Sequence, residues 1–157
     1  MPVKRAVDIK PNFLCDNSTY LFGVDEKGKP ERSLQCFQAC RELHQKVLGE
    51  VDTPAARAVL RYFETWDPGQ AMGQPFFAEN QKELMAGANI LFYFDGKSVL
   101  QDGAVRQAWQ AYYDRTDSGN TGICMVTGRE ASLATLHPTI KGVTGAQAMG
   151  TSLVSFN

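Results

Sequence analysis

At 157 residues, with ordinary apolar content and a formal charge of −1, the chain is sized for one domain whose core needs neither disulfides nor a metal. No apolar run approaches the ~18 residues of a membrane span, and "MPVKRAVDIKPN" lacks the apolar stretch that follows the basic residues of a secretory leader. Sixteen basic residues against seventeen acidic ones exclude a strong electrostatic claim on nucleic acid by the bulk chain, so any such contact needs a local patch or basic partners.

In chain order, "NFLCDNSTYLFGV" reads as a hairpin, with Asp16, Asn17 and Ser18 as the turn between Phe13-Leu14 and Tyr20-Leu21-Phe22. "DEKGKPE" is a polar connector. Ser33 to Leu48 reads as a helix with Leu34, Phe37, Cys40, Leu43 and Val47 along one stripe. Asp52-Thr53-Pro54 starts a second helix, with a capping side chain and a first-turn proline. Its apolar stripe is Ala56, Val59, Leu60 and Phe63, and the short link makes the pair a helical hairpin.

Residues 67–75 read as a loop, followed by a short helix over about 78–86 that stops at Gly87. "NILFYF", 89–94, is apolar at all but one position, so both of its faces are expected to be covered. Asp95-Gly96 is a tight-turn signal, with "KSVL" returning as a strand. Asp102 caps a helix over about 103–115, with Val105, Ala108, Trp109 and Tyr112 on one side. "ICMVT" and "ASLATL" make a second hairpin around Gly128-Arg129-Glu130. The fold class expected is α+β: short antiparallel strands and hairpins with about four helices packed against them, in a single domain over 1–157.

Four cysteines, at 15, 36, 40 and 124, form no dense framework and read as reduced thiols of a cytoplasmic protein. Cys36, Cys40 and His44 share one helix face. Zinc takes such ligands in tetrahedral sets, but three ligands rising about a turn apart do not converge on one ion. Buried thiols beside a helix histidine are the default reading, and no metal or cofactor is expected. Cys124 and His137 flank the second hairpin, yet no motif gives them the geometry of a nucleophile and its base. Asp25, Glu26, Glu31, Glu42, Asp52, Glu64 and Asp67 are scattered and form no two-metal cluster.

The glycine-rich segment "KGVTGAQAMGTS", 141–152, stands apart. Gly142, Gly145 and Gly150 allow close backbone approach. Lys141, Gln147, Thr151 and Ser152 carry groups that meet phosphates or base edges. The GK[ST] ending of a P-loop is missing.

Three stretches here carry a resemblance: C-x-V-T-G at 124–128, L-H-P-x-I-K-G-V at 136–143, and G-A-Q-x-x-G-x-S-L-V-S-F-N at 145–157. Together they closely resemble a signature of the large subunit of type I-C Cascade, the CRISPR-associated RNA-guided surveillance complex. "KPNFLCDNSTYLFGVD", "NILFYFDG" and "AVRQAWQAYYD" are similar to further family segments, in family order. Family members extend beyond both ends of this sequence, so the resemblance implies an internal piece of the subunit's N-terminal half.

It also implies a non-catalytic role: recognition of the protospacer-adjacent motif in target double-stranded DNA, while crRNA pairing reads the rest. The implied partners are target DNA, crRNA, other Cascade subunits and a helicase-nuclease recruited later; no membrane is involved. The residues expected at the DNA are Lys141, Gly142, Gly145, Gln147, Gly150, Thr151 and Ser152, then Lys10, Asn12 and Asn17, with Arg129 as a phosphate clamp. The alternative is a structural module that docks neighbouring subunits and guide RNA without reading DNA. A third possibility, an enzyme built on Cys124 and His137, is the least supported by the residues.

Overall fold

The computed structural model describes residues 8–24, 29–116, 121–123 and 127–132. The chain divides into two compact units, Met1–Ala111 and Tyr112–Asn157. The fold is α+β: helices with three two-stranded antiparallel ladders among the described residues.

In the first unit, α1 (Ser18–Leu21) is a single helical turn, capped by the Asn17 side chain accepting from Thr19 N–H. The long α2 (Pro30–Leu48) starts on a proline, which needs no N–H partner there, and ends at Gly49. Thr53 caps α3 (Pro54–Thr65) by accepting from Ala56 N–H at 3.2 Å, again with proline in the first turn. The second helix therefore starts as the sequence indicates, and Ala56, Val59 and Phe63 are buried.

The buried stripe of α2 is rotated from the expected one. Leu34 is 49% exposed, while Ser33, Cys36, Phe37, Cys40, His44, Val47 and Leu48 face the core. His44 lies on that buried face.

Two bonds, from a tyrosine and a tryptophan, tie the C-terminal end of α3 to the C-terminal end of α1. Tyr62 Oη donates to the Leu21 carbonyl at 2.6 Å, and Trp66 Nε1 donates to the Phe22 carbonyl at 3.1 Å. Burial pushes the Tyr62 phenol well above its ordinary value, so it stays a donor. Gly23, at φ +73, lies where a Cβ would come 2.8 Å from Pro68 Cβ. Only glycine suits both the conformation and the space.

Three expectations fail here. Residues 13–22 are not a hairpin: β1 (Cys15–Asp16) pairs with β2 (Ile90–Leu91), in register Cys15↔Leu91 and Asp16↔Ile90, and Tyr20 and Leu21 are helical. Residues 67–75 are not an irregular loop, since Pro68–Gly73 forms a 3-10 turn capped by Asp67. The following helix is two short pieces, α4 (Pro75–Glu79) and α5 (Gln81–Met85), broken at Asn80.

The tight turn at Asp95-Gly96 is present. Both residues have positive φ (49° and 72°), and β3 (Tyr93–Phe94) returns on β4 (Lys97–Ser98), as a two-residue hairpin turn requires. However, the segment 89–94 is not covered on both faces: Tyr93 is 67% exposed, and Leu91 and Phe94 are also exposed. A 3-10 turn, Val99–Gln101, leads to α6 (Gly103–Thr116). Asp102 caps it by accepting from Ala104 N–H and Val105 N–H.

In the second unit, β5 (Thr121–Ile123) pairs with β6 (Glu130–Ser132). This is the second hairpin, but Glu130, expected in its turn, is a strand residue paired with Ile123. Among the described residues, no helix is long and apolar enough to cross a membrane.

Candidate nucleic-acid interface

Loop 8–17 carries Lys10, Asn12 and Asn17, and buried groups beneath hold it in shape. Leu14 is fully buried yet sits at φ 57, a left-handed conformation that a bulky side chain resists. Its N–H donates to His44 Nε2 at 3.0 Å. That bond leaves Nε2 without a proton, so Nδ1 carries the hydrogen and donates to the Cys40 carbonyl at 2.7 Å. The neutral imidazole thus bridges α2 to the loop, 30 residues away in sequence.

Aromatic rings enclose that bridge. His44 has ring centroids 4.6 Å from Phe63, 5.2 Å from Phe13 and 6.1 Å from Phe92. Phe13 in turn stacks on Trp109 at 4.6 Å, 6° from parallel. Burial lowers the His44 pKa from 6.5 to about 4; the Cys40 carbonyl and the Asp16 carboxylate oppose that shift without overcoming it. The Leu14 N–H, aimed at Nε2, also leaves no room for a second ring proton.

Asp16 is the second anchor, buried like His44. One carboxylate oxygen accepts from Asn12 N–H and the other from Asn17 N–H, both at 2.8 Å. A carboxylate is well suited to gathering two backbone donors, and such charge-assisted bonds are the stronger kind. Lys10 N–H adds a longer bond to the Tyr20 hydroxyl at 3.3 Å.

Of the residues expected at DNA, Lys10, Asn12 and Asn17 therefore stand on one loop. Lys10 is exposed and its Nζ lies 3.2 Å from Asp8, an exposed pair that constrains it little. Asn17 spends its side-chain oxygen on the α1 cap, so its part is structural first. Arg129 is exposed in the β5–β6 loop of the second unit, with its N–H 3.4 Å from Thr127 Oγ1. Lys141, Gly142, Gly145, Gln147, Gly150, Thr151 and Ser152 lie outside the described residues, as do Cys124 and His137.

Cys36 and Cys40 are buried thiols that form no disulfide. Both nitrogens of His44 are taken by backbone groups, which leaves none for a metal. Sequence reasoning missed Asp16 and His44 as anchors. The available signals were an aspartate directly after the apolar run Phe13-Leu14-Cys15 and a histidine four positions beyond a buried cysteine.

The family model described as CRISPR-associated protein (Cas_Csd1) matches residues 1–157. No curated protein matches the chain.

Proposed function

The chain belongs to the Cas_Csd1 family of CRISPR-associated proteins, and from that premise we propose that it forms part of the large subunit of an RNA-guided DNA surveillance complex. There it contributes to recognising the protospacer-adjacent motif in duplex DNA, and it catalyses nothing itself. The family match over residues 1–157 carries this reading. The braced loop that carries the exposed Lys10 and the half-buried Asn12 supports it, because reading a few base pairs takes a handful of polar groups, not a broad basic face. A chain of charge −1 contributes little counterion release of its own. The chain alone therefore binds duplex weakly and in a salt-sensitive way, and stable binding belongs to the assembly with crRNA and the other subunits.

The test is duplex binding by the assembled complex with Lys141→Ala and Gln147→Ala in the subunit. Weaker binding and a blurred motif preference are expected, with assembly intact by size exclusion. Unchanged affinity and preference would remove the glycine-rich segment as the reader.

A second reading, a module that docks neighbouring subunits and guide RNA, draws on exposed apolar side chains such as Met72 and Phe76 at 52% and 43%. Under it, the same substitutions impair assembly and leave motif preference untouched.

A further inference from the structure

A cleft of about 340 Å³ lies beside the β3–β4 turn, bounded also by the start of α3 and the approach to α6. We propose that it holds one unstacked nucleobase of a single-stranded nucleic acid. This rests on the reading that the protein works on nucleic acid, but it names a site separate from loop 8–17 and from the glycine-rich segment.

The tight turn sets the arrangement. Phe94 and Lys97 are direct cross-strand partners, so ring and ammonium share one face of the ribbon. Phe94 is 39% exposed and gives the cleft an aromatic wall, with Pro54 and Ala55 adding apolar surface. Ser98 and Gln101 supply both donors and acceptors.

Charge decides among occupants. Asp95 and Asp102 are offset by Lys97 and by the partial positive charge at the first turns of α3 and α6. A cleft so balanced gives little advantage to a bare phosphate or to an arginine side chain. It suits a neutral, flat, aromatic ligand with a hydrogen-bonding edge. Phe94 stacks on the base, as aromatic side chains do in single-strand sites. One oxygen of Asp102 already serves the α6 cap; the other, with Asp95, accepts from an exocyclic amino group. Lys97 meets the attached phosphate.

The experiment is a backbone-amide NMR titration of the 157-residue chain with cytidine monophosphate, uridine monophosphate, inorganic phosphate and Nα-acetyl-arginine amide. Cytidine monophosphate is expected to shift Phe94, Ser98 and Gln101 saturably. Uridine monophosphate, which lacks the amino group, binds several-fold more weakly. Phe94→Leu keeps the apolar bulk and loses the ring, and is expected to weaken binding about tenfold; Gln101→Ala, on an exposed turn, weakens it less.

No saturable shift, an equal response to inorganic phosphate or to uridine monophosphate, preference for the arginine amide, or indifference to Phe94→Leu would each overturn the nucleobase site. Lys10→Ala leaves this titration unchanged. Loss of the cleft's binding with normal duplex recognition by the assembly refutes the cleft alone. Normal cleft binding, with duplex recognition indifferent to Lys141→Ala and Gln147→Ala, refutes the segment as reader and leaves the cleft standing.

Discussion

Loop 8–17 and the Tyr93–Ser98 ribbon are both short, non-helical and built on two-residue strands, yet they are held in opposite ways. The loop is fastened from below: Leu14 to His44, and Asn12 and Asn17 to Asp16, all on buried groups. The ribbon is fastened chiefly by its own turn and keeps its large side chains in solvent. A two-stranded ribbon is marginal alone, whereas a strained loop survives only where its surroundings over-determine it. One region fixes backbone geometry at the cost of strain; the other offers side chains at little structural cost.

The sharpest way to break that contrast is His44→Ala. It removes a buried ring and orphans the Leu14 N–H, and is expected to destabilise by about 4 kcal/mol in urea unfolding. A loss below ~1 kcal/mol would mean the bridge does not hold the loop.

Acid acts on the same bridge. The His44 pKa is about 4 when folded against 6.5 when unfolded, so the unfolded chain takes up the proton first as pH falls. His44 then contributes stability that is whole above pH 6.5 and is lost down to pH 4, amounting to roughly 3 kcal/mol. Unfolding followed across that window should show the slope in the native chain and lose it in His44→Gln.

Asp16→Asn keeps the shape but turns one acceptor into a donor facing a backbone N–H. It should cost about 2 kcal/mol and shift the amide resonances of Asn12 and Asn17. On the other side of the comparison, Tyr93→Ser at an exposed ribbon position should change stability by less than ~0.5 kcal/mol. A loss as large as that of Asp16→Asn would show the ribbon to be as tightly built as the loop.

Local signals made the helices legible. Thr53-Pro54 and Asp102 cap helices where the sequence places them, and Asp95-Gly96 turns as its residue types require. The loop was not legible, because β1 finds its partner at residues 90–91, far along the chain, and periodicity within a window does not show such pairing. Tyr20 and Leu21 have strand propensity, but the Asn17 cap and burial against α2 make them helical. The run at 89–94 looked doubly buried because its residues are apolar; in the fold, Leu91 and Tyr93 fall on the outward face. At the candidate interface, the sequence proposes Lys10 and Asn12 as DNA contacts, and the structure places both on loop 8–17. The groups that hold the loop backbone, the buried Asp16 and His44, act through hydrogen bonds and gave only weak local signs.

The most direct measurement is photo-crosslinking from a reactive group placed at position 147 of the subunit, within the assembled complex bound to target duplex. The expected result is a crosslink to the protospacer-adjacent motif that disappears when the motif is scrambled. Crosslinks solely to neighbouring subunits or to crRNA would contradict a DNA-reading role for this part of the protein.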